Sequence, residues 1–235
     1  MTEKGILYGV GVGPGDPELM TIKALKAIKE CEYIALPVSK NADKKEITAY
    51  QIAEKAYPDI DKKMILFLSM PMTKDQDCLD AAHAEGAAMI CEELKKGHSV
   101  AFLTLGDVTV YSTFLYIQKL VEREGYVTCL VPGVPSFCAA AAALRTGLGE
   151  KGEAIHILPG SYDIREGMKL SGTKILMKSG SKIAQVKEEL GQYDGSVQMV
   201  MNCGMEGEQI YRSLEEIPEN AGYYSLIIVK EGEEI

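Results

Sequence analysis

The sequence is poor in the features that mark membrane, metal-binding and nucleic-acid-binding proteins. Its 235 residues include no tryptophan and only three histidines. The most apolar stretch, Phe137–Leu144, is far shorter than the roughly 20 residues of a membrane-spanning helix, and no secretory signal core precedes Gly13. None of the six cysteines stands in a C-x-x-C pair, so the sequence predicts no zinc site. We therefore expect a cytoplasmic protein with free thiols, no bound metal and no membrane contact.

The sequence also lacks a run of basic residues. Lys and Arg together number 25 against 34 Asp and Glu, which gives a net charge of −9. Affinity for nucleic acids depends largely on cationic side chains that neutralise phosphates. The composition therefore predicts that the protein has no nucleic-acid partner.

Short apolar runs alternate with helical patterns through the first half of the chain. This alternation is typical of a parallel sheet that is covered by helices on both faces. Thr21 is placed to cap the first helix, and a long helix is predicted over residues 75–96 with Gly97 as its stop. The predicted strands are residues 6–12, 33–37, 64–68, 100–105 and 128–131.

The pattern changes after Leu144. Residues 146–152 are polar and glycine-rich, which indicates a domain edge. Beyond them the strands come closer together and only Ile183–Leu190 has a clear helical pattern, so this part predicts a mixed sheet. The predicted fold class is α/β, with a mainly parallel N-terminal domain over residues 1–148 and a mixed α/β C-terminal domain over residues 149–235. The predicted strands of the second domain are residues 154–158, 174–177, 197–202, 209–212 and 224–230.

Residues 9–17 read Gly-Val-Gly-Val-Gly-Pro-Gly-Asp-Pro and follow the first strand. They do not have the spacing of a dinucleotide-binding fingerprint, because the third glycine would fall on Pro14 or Asp16. Proline lacks the N–H group that cradles a phosphate, and an aspartate in the loop would repel one. The stretch therefore indicates a tight loop whose backbone approaches a ligand that need not be anionic. A simple turn without a ligand is the open alternative.

Two further loops, at residues 105–111 and 131–136, follow the fourth and fifth predicted strands. All three loops lie at the carboxyl ends of parallel strands, where open α/β sheets bind their ligands. Asp107 in the second loop suits a hydroxyl or amine donor on a ligand, and its alternative role is that of a turn or helix-capping residue. Ser136 in the third loop is placed to cap the Ala-rich helix.

Taken in order, Gly9–Glu18, Leu105-Gly106-Asp107 and Val131-Pro132-Gly133 resemble the loops of the tetrapyrrole (corrin and porphyrin) methylase family. The resemblance covers nearly the whole chain. It implies two α/β domains with the methyl donor S-adenosylmethionine folded in the cleft between them. It also implies a tetrapyrrole substrate and a homodimer.

Within this family, the chain is similar to the branch that methylates C-20 of precorrin-2 or cobalt-factor II in cobalamin biosynthesis. The residues that carry this similarity are Pro71-Met72-Thr73 followed by Asp75, Gly106-Asp107 with Val110–Thr113, and Pro132–Phe137. One departure is Val108, because the family usually has proline after the Gly-Asp pair. We expect the loop to keep its shape, since valine tolerates an extended backbone.

The resemblance assigns most of its site residues to cofactor binding. It gives no catalytic base, and Tyr111, Asp107 and Glu18 are the candidates for removing a proton after methyl transfer. Lys178 and Cys203 are aligned only by strand ends, and their alternative roles are a surface base and a buried thiol. The implied cofactor-binding residues are Pro14, Gly106, Asp107, Val110, Ser136, Phe137, Lys178, Cys203, Gly204, Ser225 and Leu226.

A tetrapyrrole substrate carries many carboxylate arms, whereas the chain has a net charge of −9. Binding therefore requires a local basic rim. We predict substrate binding by Lys44, Lys45 and Arg145, and the alternative for the two lysines is a solvated loop. Lys40 is a further candidate, and so is either Lys178 or Lys182.

Other functions stay open at this point. A methylase of the same fold could act at another corrin position or on a protein substrate of the diphthine type. A small-molecule-binding protein without turnover is the alternative from a different class. Nicotinamide-dependent oxidation is disfavoured, because the glycine spacing fails and no acidic residue closes the second strand, which ends as Leu36-Pro37-Val38-Ser39.

Overall fold

The computed structural model describes residues 4–39, 43–160, 162–178, 180, 183–191 and 193–232. The chain divides into two compact units, Met1–Pro135 and Ser136–Ile235. The division lies before the Ala-rich helix rather than after Leu148, where the glycine-rich segment suggested it. That helix packs through Ala140 and Leu144 on the strands of the second unit, so it and the glycine-rich segment both belong there.

The first unit is a parallel sheet of five strands in the order β3-β2-β4-β1-β5. The predicted strands are confirmed to within one residue at each end. Short 3₁₀ helices lie at Pro17–Leu19, Lys44–Glu46 and Pro58–Lys62. The strands and α-helices are β1 (Ile6–Gly11), α1 (Ile22–Glu30), β2 (Tyr33–Val38), α2 (Thr48–Ala56), β3 (Met64–Ser69), α3 (Gln76–Lys95), β4 (Val100–Thr104), α4 (Phe114–Arg123) and β5 (Val127–Val131).

Two apolar clusters fix the helices to the two faces of this sheet. Ala24 of α1 and Ile52 of α2 belong to one cluster, and Ile90 of α3 and Ile117 of α4 belong to the other. The interior strands β1, β2 and β4 are therefore largely buried on both sides, which is why they read as continuous apolar runs, whereas the edge strands β3 and β5 are partly exposed. Thr21 caps α1 as predicted, since its Oγ1 accepts a hydrogen bond of 3.0 Å from the Ala24 amide.

The second unit is a mixed sheet of five strands in the order β6-β7-β10-β8-β9. β6 and β7 are parallel, whereas β10 runs antiparallel to both β7 and β8. Sequence reasoning missed α6, because five residues are too few to show an apolar period. The elements are α5 (Ser136–Leu144), β6 (Ile155–Pro159), α6 (Ile164–Met168), β7 (Thr173–Met177), α7 (Ile183–Leu190), β8 (Gly195–Met201), β9 (Gln209–Tyr211) and β10 (Ser225–Glu231).

Helices cover both faces of the second sheet as well. Ile164 of α6 and Val186 of α7 pack into one cluster with β7, β8 and β10, and α5 packs into the other. Across the residues that the structure describes, no helix is both long and apolar enough to span a membrane.

Candidate functional site

The three predicted loops of the first unit meet at one edge of its sheet. β1 lies between β4 and β5 and pairs in parallel with both, so the loops that follow these strands are neighbours. The chain leaves β1 towards α1 on one face and leaves β4 towards α4 on the other face. A reversal of this kind opens a crevice at the carboxyl edge, which is where open α/β sheets bind ligands.

The backbones of the three loops touch each other directly. Gly13 and Gly106 exchange two hydrogen bonds, with N–O distances of 3.2 and 2.7 Å. A Cβ atom on Gly133 would lie 2.2 Å from the Gly106 carbonyl oxygen, and one on Gly11 would lie 2.6 Å from the same oxygen. The backbone at Gly11 and Gly133 therefore approaches the backbone of a neighbouring loop rather than a ligand. This close packing requires residues without a side chain.

Asp107 ties the second loop to the third. Its side chain is buried, and its Oδ1 accepts a hydrogen bond of 2.8 Å from the Thr109 amide and another from the Thr109 hydroxyl. Its Oδ2 accepts a hydrogen bond of 2.9 Å from the Gly133 amide. Both carboxylate oxygens thus accept hydrogen bonds from backbone amides of the loops. This arrangement favours a structural role for Asp107 in the turn over the role of a general base.

Tyr111 occupies a strained position in the second loop. Its φ is 49°, in the left-handed region that a residue with a Cβ seldom adopts, and its side chain is 51% exposed. The following Ser112 lies just before the N-cap residue of α4, Thr113, and its Oγ accepts a hydrogen bond of 3.2 Å from the Phe114 amide. Val108, the departure from the family pattern, is fully buried in the same cluster as Phe114, so the loop keeps a packed interior without proline.

The remaining predicted residues of the three loops fall in both units. Pro14 and Gly106 are buried and Val110 is half-buried in the first unit, whereas Ser136 and Phe137 are half-buried at the start of α5 in the second. Residues 9–18, 105–113 and 131–137 contain three acidic side chains and no basic one. This charge balance suits a cationic ligand and opposes a phosphate.

The predicted residues of the second unit also share one sheet edge. Lys178 follows β7, Cys203 and Gly204 follow β8, and the antiparallel β10 begins at this edge with Ser225. The register confirms this placement, because Met177 pairs with Leu226 and Met201 pairs with Ser225.

The side chains of this second edge have different surroundings. The Ser225 hydroxyl donates to the Gly222 carbonyl oxygen at 2.7 Å, and Leu226 is part of the core. The Gly204 amide donates to a Glu208 carboxylate oxygen at 2.6 Å. Lys178 has a left-handed φ of 59°, and Cys203 is half-buried.

Sequence reasoning missed two aromatic residues at this edge, Tyr223 and Tyr224. They precede Ser225, and their rings lie 5.2 Å apart at an angle of 82°. The Lys178 ammonium lies 6.0 Å from the centroid of the Tyr223 ring. The signal that could have found them is a pair of adjacent tyrosines between Gly222 and the start of a strand.

Lys44 and Lys45, predicted to bind substrate carboxylates, are paired with acidic side chains of their own unit. Lys44 lies 2.5 Å from Asp61 and Lys45 lies 3.6 Å from Glu54. The hydrogen bond to Asp61 raises the pKa of Lys44, and the same bond lowers the pKa of Asp61. These pairs reduce the charge that the two lysines offer to a ligand.

Arg145 is exposed with a left-handed φ of 60° directly after α5. Lys40 and Lys182 lie outside the described residues. Of the six cysteines, Cys31 is buried, Cys78 and Cys138 are exposed, and Cys91, Cys129 and Cys203 are half-buried. Within the described ranges, no group of three or more His, Cys, Asp or Glu side chains is arranged to hold a metal ion.

The comparisons with known proteins point in one direction. The family model of the tetrapyrrole (corrin/porphyrin) methylases matches residues 6–218. A protein of Methanocaldococcus jannaschii named probable cobalt-precorrin-2 C(20)-methyltransferase is 37% identical over 227 residues, which are 95% of each chain.

Solved structures share the fold at lower identity. A cobalt precorrin-4 methyltransferase has a TM-score of 0.75 at 20% identity, over 96% of this chain and 94% of its own. A uroporphyrin-III C-methyltransferase of Thermus thermophilus, complexed with S-adenosylhomocysteine, has a TM-score of 0.69 at 21% identity, over 97% and 98%.

Proposed function

The protein belongs to the tetrapyrrole (corrin/porphyrin) methylase family, and from this premise we propose that it methylates C-20 of a reduced tetrapyrrole in cobalamin biosynthesis. The methyl donor is S-adenosylmethionine, and the acceptor is precorrin-2 or its cobalt form, cobalt-factor II. The observation that carries the proposal is the 37% identity, over 95% of both chains, to the Methanocaldococcus protein named for this activity.

The loops of the first unit fit a sulfonium cofactor. They bring three acidic residues and no basic one to the carboxyl edge of the sheet, which favours a positively charged ligand. Their backbones are fixed against each other by the Gly13–Gly106 hydrogen bonds and by Asp107. We assign Pro14, Gly106 and Val110 to cofactor binding, and Asp107 to holding the loops in the binding conformation.

The second unit supplies residues that stay predictions from the family resemblance. For the cofactor these are Ser136, Phe137, Lys178, Cys203, Gly204, Ser225 and Leu226. Ser225 and Leu226 could act only through backbone groups, because their side chains bind Gly222 and the core. The homodimer likewise stays a prediction, which light scattering on the purified chain tests.

Methyl transfer from S-adenosylmethionine requires the protein mainly to position the donor and the acceptor, and less to supply reactive side chains. When bound, S-adenosylmethionine supplies a methyl group that replaces the hydrogen on C-20, with loss of a proton. Rigid loops that hold the methyl carbon about 3–3.5 Å from C-20 can lower the barrier by roughly 7–11 kcal/mol. Because both Asp107 oxygens already accept hydrogen bonds, the remaining candidates to accept the proton are the Glu18 carboxylate and Tyr111, which would act only in its ionised, phenolate form.

The decisive experiment is methyl transfer with a labelled donor. The full chain is incubated with S-adenosylmethionine carrying a ¹³C methyl group and with precorrin-2 or cobalt-factor II in separate reactions. We expect a product heavier by one methyl group, with the label on C-20 in the carbon NMR spectrum. The ratio of the two rates identifies the natural acceptor.

Other outcomes would overturn the proposal. Label on another ring carbon would make the protein a methylase of a different corrin position. Calorimetric binding of S-adenosylmethionine with no transfer to either tetrapyrrole would exclude the C-20 activity. A titration without any heat from the donor or from S-adenosylhomocysteine would favour a protein without methylase function.

A further inference from the structure

A lysine and two tyrosines stand together at the carboxyl edge of the second sheet. Lys178 directly follows β7, and Tyr223 and Tyr224 directly precede β10. β10 runs antiparallel to β7 with Leu226 opposite Met177, so the end of one strand and the start of the other share an edge. The Lys178 ammonium lies 6.0 Å from the centre of the Tyr223 ring, close to the limit of a cation–π contact.

Backbone contacts, rather than flexible side chains, set this arrangement. A Cβ atom on Gly160 would lie 2.3 Å from the Lys178 carbonyl oxygen, and one on Gly180 would lie 2.2 Å from the Gly222 carbonyl oxygen. The segment after β7 is therefore pressed against the turn that carries Tyr223. Lys178 itself keeps a left-handed φ of 59°, a conformation that costs a residue with a side chain about 1 kcal/mol or more and is common at functional positions.

The exposed groups of this cluster match a particular kind of ligand. Tyr223 is 54% exposed and Tyr224 is 36% exposed, although tyrosine rings normally gain stability from burial. Lys178 takes part in none of the ion pairs among the described residues. Open aromatic faces beside an ammonium group suit a ligand that is flat, conjugated and carries carboxylates.

We propose that the Lys178 ammonium and the Tyr223 ring bind the tetrapyrrole substrate, the first through a carboxylate arm and the second against the macrocycle. The inference rests on the proposed function and adds two specificity-determining residues to it. It also supplies a cation for the substrate carboxylates. Such a cation is needed because the chain has a net charge of −9 and because Lys44 and Lys45 are already paired with acidic side chains. The sequence gives Lys178 two candidate roles, one at the cofactor and one at the substrate carboxylates, and this inference assigns its ammonium group to the substrate.

The test compares matched variants by their Michaelis constants for the two substrates. Lys178→Met removes the charge but keeps the length, and it should raise the KM for the tetrapyrrole about tenfold while the KM for S-adenosylmethionine stays within about twofold of wild type. Lys178→Arg should restore most of the affinity. The control is Lys151→Met, because Lys151 is also exposed and has a left-handed φ of 50°; neither constant should change.

The ring is tested in the same way. Tyr223→Leu should raise the KM for the tetrapyrrole about fivefold, whereas Tyr223→Phe keeps the aromatic face and should resemble wild type. Rising salt should raise the tetrapyrrole KM of the wild-type enzyme and reduce the difference between this KM and that of Lys178→Met. Equal melting temperatures of all variants show that the substitutions do not act through unfolding.

Failure of the inference can be told apart from failure of the proposed function. An active wild-type enzyme with an unchanged tetrapyrrole KM in Lys178→Met, or with only the KM for S-adenosylmethionine raised, overturns the inference alone. If wild type transfers no methyl group, binding of uroporphyrin, a porphyrin with eight carboxylates, is measured by fluorescence. Weaker binding by Lys178→Met then supports the contact, and equal binding rejects it.

Discussion

Replacing Asp107 by asparagine is the most direct test of how the site of the first unit is held. The carboxylate accepts hydrogen bonds from the Thr109 amide at 2.8 Å and from the Gly133 amide at 2.9 Å, one on each oxygen. Asparagine has nearly the same shape but only one accepting oxygen. Whichever way the amide is oriented, its NH₂ group must face one of the two backbone donors.

The size of the effect follows from these contacts. A hydrogen bond to a charged group contributes roughly 1.5–3 kcal/mol, and a buried donor left without a partner costs about as much. We therefore expect Asp107→Asn to destabilise the joined loops by about 2–3 kcal/mol. If the Gly133 amide opens through separation of the loops, its hydrogen exchange should accelerate by about 30- to 150-fold.

The assay is hydrogen–deuterium exchange followed by mass spectrometry of the peptide containing Gly133, together with calorimetric titration of S-adenosylmethionine. The matched control is Asp75→Asn, because the exposed Asp75 also accepts two backbone hydrogen bonds, at 3.0 and 3.2 Å, and asparagine is an equally good helix cap. Wild-type exchange and wild-type donor affinity in Asp107→Asn would refute the view that this carboxylate holds the loops in place.

Three further predictions follow from single contacts. A Cβ on Gly9 would lie 2.4 Å from the buried Phe114 ring, so Gly9→Ala should destabilise the fold by about 1–3 kcal/mol and Phe114→Leu should recover part of the loss; a wild-type melting temperature for Gly9→Ala would contradict this. Tyr111→Gly should relieve about 1 kcal/mol of backbone strain, whereas Tyr111→Phe should lower kcat about 100-fold if the Tyr111 phenolate accepts the proton; an unchanged kcat removes Tyr111 from that role. The hydrogen bond from Lys96 is the main cause that lowers the pKa of Glu93 below its ordinary value of 4.5, so this stabilisation is present above about pH 4.5 and is lost on acidification. Glu93→Gln should therefore flatten the acid limb of melting temperature against pH, and an equally steep limb would reject the assignment.

Most interior strands could be predicted because burial on both faces gives them a continuous apolar run. The position of the three loops at one edge follows from the same observation, since parallel strands all end on the same side. The unit boundary could not be found in this way. α5 is apolar nearly all round, so its sequence does not indicate on which sheet it packs, and the glycine-rich residues 146–152 resemble a linker although they lie inside the second unit.

The roles of individual site residues were harder to predict because their partners are distant in sequence. Asp107 is held by Gly133, 26 residues away, and Lys44 is paired with Asp61, 17 residues away. The sequence shows that Asp107 lies in one loop and the Lys44-Lys45 pair in another. It does not show that the Asp107 carboxylate already accepts hydrogen bonds or that the two lysines are already paired with acidic side chains. Lys178 shows the opposite case, because only the fold brings it to Tyr223.

The interior position of β1 in its sheet affects synthesis on the ribosome. β1 ends at Gly11, but its two partners, β4 and β5, end only at Thr104 and Val131. At about 5–20 residues per second, the roughly 93 residues from Gly11 to Thr104 take on the order of 5–19 s to translate. Until β4 is complete, β1 has neither of its neighbouring strands and is open to wrong pairing. Slower translation lengthens this exposure, so expression yield should gain more from chaperones that hold the nascent chain than from growth in the cold.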